Sequence, residues 1–262
     1  MMKFVCFLLA ALLLSGCAAP AAPVPETTTL PDTLPTLPAE TSLPQPPETT
    51  APILWDSRIH SGLNPDGTFD AGTLFLGDSL TFGLICQYLM PEKLLGDARF
   101  AARVGMPLLG FSGSSFIMED DGSSVYSPEF HLASCAQAAR IAGDRVTAVY
   151  FMLGTNYDAC NSPESYIQAV EELLLSCPNA TVYLQLIPHS TGALVYEEEV
   201  NASIREAHGH FVREGIQRVM LIDTYTGIGE NLNPDGIHLN AEGQKNWYET
   251  ICRFAAENHI PQ

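Results

Sequence analysis

From residue 72 onward, apolar runs alternate with glycine and proline breaks. Gly72-Thr73-Leu74-Phe75-Leu76 predicts a buried strand entering a tight turn at Gly77, and Phe82–Met90 a helix that Pro91 stops. Arg99–Val104 predicts a second strand ending at Gly105. Residues 105–127 are rich in glycine and serine and show no period, so they are expected to form loops over a pocket rather than core. Phe130–Ala142 predicts a helix. Arg145–Leu153 is apolar on both faces, as an interior parallel strand is. Ser162-Pro163-Glu164-Ser165 opens another helix, with Ser162 as cap and proline in the first position. Thr181–Ile187 predicts a strand stopped by Pro188, Val195–Arg213 a long helix, Val219–Asp223 the last strand, and Asn240–Glu257 a terminal helix capped by Asn240.

Strands thus alternate with helices. The expected fold class is α/β, a three-layer α/β/α sandwich with a central parallel sheet. In such sheets ligands bind beyond the carboxyl ends of the strands. Three segments fall at such ends: Gly77-Asp78-Ser79, Gly154-Thr155-Asn156, and the turn before the terminal helix.

The pattern before residue 53 is different. Met1-Met2-Lys3 and the apolar run Phe4–Leu14 have the layout of an export signal, too short for a comfortable membrane span. Leu14-Ser15-Gly16-Cys17 resembles a bacterial lipobox, which implies a signal over 1–16 and lipidation at Cys17. Residues 17–52 are mostly Pro, Thr, Ala and Glu without periodicity, and read as a tether. The expected folded domain is 53–262. The expected location is the bacterial cell surface, outside the cytoplasm, with acyl chains holding the protein to the membrane.

Charge narrows the partners. Thirty acidic residues face twelve basic ones, a net charge of −18. No basic patch with interleaved aromatics exists, which disfavours nucleic acid. Cys86, Cys135, Cys160, Cys177 and Cys252 are an odd set without CxxC spacing, so no metal or cluster site is expected. A Cys160–Cys177 bridge is conceivable, but buried small apolar side chains are the simpler reading.

The chemistry lies in the three strand ends. A buried strand delivers Ser79 to a helix start, where backbone donors could meet a developing oxyanion; equally, Asp78 or Ser79 could be a plain helix cap. A serine hydroxyl needs a nearby base, and histidine suits that task near neutral pH. Asp235-Gly236-Ile237-His238 places a carboxylate three residues before an imidazole. Asn-Pro-Asp-Gly is also a common turn, and Asn64-Pro65-Asp66-Gly67 repeats it without a histidine, as structure only.

Taken together, Gly77-Asp78-Ser79-Leu80, Gly154-Thr155-Asn156 and Asp235-Gly236-Ile237-His238-Leu239-Asn240-Ala241-Glu242-Gly243 resemble the blocks of the GDSL, or SGNH, hydrolase superfamily, in the family's order. The resemblance spans Gly72 to Phe254. It implies a flavodoxin-like fold, Ser79 as nucleophile, His238 as base and Asp235 as acid. It also implies an oxyanion hole from the amides of Ser79 and Gly105 and the side chain of Asn156, with no cofactor. Gly105 follows the second strand as the family requires, but the usual nearby asparagine is missing, and Gly110 or Gly113 competes for the role. Tyr157 is an extra residue inside the third block, displacing the acidic residue to Asp158. Tyr157, Asp158 and His189 are candidate pocket residues. The implied activity is removal of small acyl groups, chiefly acetyl, from carbohydrate esters. The alternatives are a lipase or lysophospholipase, an acyltransferase, and a surface-binding module without catalysis. Oligomeric state is not legible.

Overall fold

The computed structural model describes residues 59–156, 160–192 and 196–258. The expectations for residues 1–52, including Cys17, and for Tyr157 and Asp158 lie outside the described residues. Six strands form one sheet: β1 Thr73–Gly77, β2 Arg99–Arg103, β3 Ser124–Tyr126, β4 Ala148–Met152, β5 Thr181–Gln185 and β6 Val219–Ile222, in the order β3-β2-β1-β4-β5-β6. β1, β4 and β5 are buried along their whole length, which is why they read as continuous apolar runs.

The sheet is parallel except for β3, which pairs antiparallel with β2. The central parallel sheet is as expected; the antiparallel edge strand β3 was not expected from sequence. β3 has three half-buried residues, too few to show a period of two. The chain between β2 and β3 contains only a 3₁₀ turn, Leu108–Phe111, and no long crossover helix, so the return is antiparallel. Arg103 pins the pairing by donating to Ser124 Oγ (2.9 Å) and the Ile117 carbonyl (2.6 Å).

The same stretch carries a second correction. Met106, Leu108, Phe111 and Met118 are buried in the core, and the ring of Phe111 meets Phe151 edge-on at 5.3 Å. Residues 105–127 are therefore core-forming as well as loop. Their apolar positions follow no regular element, so no periodicity announces them.

The helices are α1 Ser79–Gly83, α2 Cys135–Ala142, α3 Pro163–Ser176, α4 Glu197–Arg213, α5 Thr224–Ile228 and α6 Ala241–Glu257. α1 begins at Ser79, not Phe82, and a π-helical segment, Leu84–Leu89, continues it. α2 begins five residues later than expected. Ser134 and Gln137 form a reciprocal capping box there, and Leu132 takes a φ of +61°, which ends any helix before it. Ser162 and Asn240 cap α3 and α6 as expected.

Strand order fixes where the helices lie. The chain steps from β1 outward to β2, then returns to the other side of β1 and runs out through β4, β5 and β6. Right-handed crossovers then place the helices of the two halves on opposite faces, giving three layers. Accordingly α6 packs on the π-helical segment and α5, while α2, α3 and α4 pack in succession. The reversal falls between β1 and β4, where Gly77 is paired with Met152. A binding crevice belongs at the carboxyl ends of these two strands. Cys86, Cys135, Cys177 and Cys252 are free thiols, so the Cys160–Cys177 bridge is not formed.

Candidate active site

Ser79 stands at the end of β1. A Cβ at Gly77 would collide with the Thr81 hydroxyl and the Met152 carbonyl, so only glycine lets the chain turn that closely beneath β4. Asp78 caps α1 by accepting from the Leu80 amide (3.0 Å). The cap role thus falls to Asp78, which leaves the Ser79 hydroxyl free of it.

His238 Nε2 lies 3.0 Å from Ser79 Oγ across 159 residues of sequence. His238 Nδ1 lies 2.8 Å from Asp235 Oδ2. Asp235 Oδ1 accepts from the amides of Ile237 and His238, each at 2.9 Å. These bonds hold the Asp235 carboxyl down to about 2: the Ile237 amide contributes most, then the His238 ring, then the His238 amide. A carboxylate ionised throughout the working pH range keeps the proton on Nδ1. Nε2 is then the acceptor for the serine hydroxyl.

The turn carrying this pair is local. Gly236 donates to the Asn233 carbonyl (2.9 Å) and has a φ of +72°. Asn64–Gly67 repeats the arrangement: Gly67 donates to the Asn64 carbonyl (2.9 Å), and Asp66 Oδ1 accepts from the Thr68 amide (2.9 Å). The repeat carries no histidine, as its sequence requires.

Tertiary contacts lock the turn in place, and here the sequence reading missed three residues. The Gly236 carbonyl accepts from the Ser190 hydroxyl (2.9 Å), the Thr191 amide (2.9 Å) and the Gly192 amide (3.1 Å). The loop that supplies them leaves β5 through Ile187, whose amide and carbonyl both bond the side chain of Asn201 on α4 (2.8 and 3.0 Å). Nothing in the local sequence marks Ser190–Gly192 as partners of residue 236, because the contact is purely tertiary.

Asn156 sits just past β4. Its Nδ2 donates to the Met106 carbonyl (3.3 Å) and, weakly, to Asp78 Oδ2 (3.4 Å). This links the exits of β1, β2 and β4. Gly105 lies in the β2 exit, between Met106 and the cavity-lining Val104, with a φ of +75°. Its competitor Gly110 is instead buried within the 3₁₀ turn. Asp78 is fully buried, and that burial raises its carboxyl to about 6 against the opposing pull of the Leu80 amide and His238.

A cavity of about 320 Å³ opens beside Ser79 and His238. Leu80, Phe82, Val104 and Leu239 give it apolar walls, and Gln87, Asn233 and Gln244 polar ones. His189 does not line it. That ring pairs with Glu197 (3.3 Å) and meets Tyr225 edge-on at 6.0 Å. Among the described residues, no three His, Cys, Asp or Glu side chains gather as a metal site.

A hydroxyl, an imidazole and a carboxylate thus lie on one hydrogen-bonded line, Ser79–His238–Asp235, on residues by which the chain resembles the GDSL/SGNH superfamily. No family model and no curated protein matches the chain. Solved structures with a similar fold include an active-site mutant of a family two carbohydrate esterase from Clostridium thermocellum (14% identity over 72% of this chain and 64% of that one, TM-score 0.49). Others are a carbohydrate esterase family 3 protein from Talaromyces cellulolyticus (22%, 71% and 96%, 0.40) and a GDSL-like lipase from Parabacteroides merdae (14%, 75% and 99%, 0.46).

Proposed function

We propose that the chain is a serine esterase that removes small acyl groups, chiefly acetyl, from carbohydrate esters outside the cytoplasm, anchored through Cys17. The observation that carries the catalytic part is the continuous hydrogen-bonded line from Ser79 through His238 to Asp235. Location and anchoring rest on the signal-like residues 1–17 and the tether that follows them.

In the proposed reaction Ser79 Oγ bonds to the ester carbonyl carbon while its proton passes to His238 Nε2. The oxyanion is met by the amides of Ser79 and Gly105 and the Asn156 side chain. The tetrahedral species collapses, and the leaving alcohol takes the proton from His238. Water then gives a proton to the same nitrogen and attacks the acyl-enzyme, releasing the acid and restoring Ser79. Asp235 stays ionised and stabilises the imidazolium.

The test is hydrolysis of p-nitrophenyl esters by the chain beside Ser79→Ala. Turnover of the acetate that vanishes in the variant, with fluorophosphonate labelling confined to Ser79, is the expected outcome. Preference for long-chain esters would replace the reading with a lipase. Absence of both turnover and labelling would leave a binding module. Product analysis with an acceptor sugar separates hydrolysis from acyl transfer.

A further inference from the structure

The cavity beside Ser79 is far larger than an acetyl group and has the size of a small-molecule site. Its polar wall is organised. Gln244 is almost completely buried, and its Nε2 donates to Gln87 Oε1 (2.8 Å) and to the Leu239 carbonyl (3.3 Å). Both protons of that amide are thereby used. The two acceptors fix which end of the Gln244 amide is nitrogen. The arrangement leaves Gln244 Oε1 buried without a hydrogen-bond partner among the described residues. An unpaired buried acceptor is unfavourable and calls for a reason. The reason available here is the orientation of Gln87: with its oxygen taken by Gln244, the exposed Gln87 amide keeps both N–H groups for a ligand. On the neighbouring wall Asn233 donates through Nδ2 to the Leu239 carbonyl (3.1 Å), which leaves its Oδ1 as an acceptor.

We infer that this cavity is a subsite for a neutral, polyhydroxylated alcohol, the sugar half of the ester, recognised by donation from Gln87 and acceptance by Asn233. The inference rests on the esterase reading and names the half of the substrate that the cavity holds. Sugar hydroxyls both donate and accept, and so match a donor–acceptor pair of amides. Phe82, Leu80 and Val104 add apolar surface for the C–H groups of a sugar ring. Among the described residues no Lys or Arg lines the cavity, and the Asp235 carboxylate does, so a phosphate or carboxylate on the alcohol half would be repelled rather than paired. A fatty chain laid here would strip water from the Gln87 and Asn233 amides without replacing its hydrogen bonds.

The experiment compares the full chain with Gln87→Leu on two acetates, 6-O-acetylglucose and p-nitrophenyl acetate, measuring kcat/KM for each. Gln87 is exposed, so the variant is expected to fold, and a thermal melt checks it. The ratio of kcat/KM for the sugar ester to that for the aryl ester should fall roughly three- to tenfold, as the loss of one uncharged hydrogen bond does, mainly through a higher KM for the sugar ester. An unchanged ratio, or equal losses on both substrates, overturns the subsite and leaves the esterase standing. Wild-type turnover of the aryl ester alone does the same. Turnover of neither ester overturns the esterase reading and the subsite with it.

Discussion

Asp78 is the one fully buried carboxyl beside the proposed nucleophile among the described residues, and its replacement by asparagine has a calculable effect. Burial raises this group from 3.8 to about 6. The sign follows from linkage. A group whose folded value lies above its unfolded one contributes fully below the unfolded value, near pH 3.8, and loses that contribution as pH rises through the folded value, near 6. At 1.36 kcal/mol per tenfold in proton affinity, the rise of 2.2 (6 minus 3.8) corresponds to roughly 3 kcal/mol of stability lost between pH 4 and pH 7. Asp78→Asn keeps an oxygen to cap α1 at the Leu80 amide but removes the titration. Its new amide also faces Asn156 Nδ2, donor to donor, which destabilises the variant by an amount that does not depend on pH. The quantity to measure is therefore the stability difference between wild type and variant, by urea unfolding at pH steps from 4 to 7.5. The difference should move toward the variant by up to about 3 kcal/mol across that range. A difference flat to within about 0.5 kcal/mol would mean that Asp78 is ionised at little expense in the folded protein, and the burial argument would fail.

Further outcomes follow from the same geometry. Asp235→Asn loses the charge that fixes the proton on His238 Nδ1, and kcat should fall about 10³- to 10⁴-fold with little change in KM; a loss under tenfold would show that the tautomer is set otherwise. Because Asp235 is held down to about 2, its contribution to stability is present above pH 3.8 and fades only as pH falls toward 2. Ser190→Ala removes one of the donors to the Gly236 carbonyl, worth about 0.5–1.5 kcal/mol, and should slow Ser79 labelling several-fold. Restoration by Ser190→Thr would tie the effect to the hydroxyl, and a labelling rate within error of wild type would sink the positioning role.

How much of this was legible depended on whether the cause was local. Ser79, Asp235 and His238 stood out as candidates, because a strand–turn–helix junction and an Asp-containing turn are set by neighbouring residues; only the resemblance to the GDSL/SGNH blocks chose the triad over a helix cap and a plain turn. Asn156 was legible only through that resemblance, from the Gly154-Thr155-Asn156 block. Ser190–Gly192 were not, since their partner Gly236 is distant in sequence and their role is backbone donation, which has no residue signature. Met106, Leu108 and Met118 were hidden for a related reason: they are buried by tertiary packing in a segment without repeating geometry. Gln87 carries no mark in the sequence. Only the α6 side chain of Gln244, buried against it, reveals that its amide is oriented.

The two Asn-Pro-Asp-Gly turns show what separates architecture from chemistry in this chain. Each presents the third residue after its aspartate from the same kind of loop. After Asp66 that residue is Phe69, fully buried and edge-on to Phe75 at 4.8 Å. After Asp235 it is His238, facing Ser79. One loop design thus aims a ring into the interior in one place and a base at a hydroxyl in another. The proposed acid–base pair is made within a single short loop, and the fold has to deliver only one long-range distance, the 3.0 Å between Nε2 and Oγ. Partial loosening of the C-terminal segment would therefore silence the reaction while Asp235 and His238 still held each other, an inactive but nearly intact form in which the two halves of the machinery have merely drifted apart.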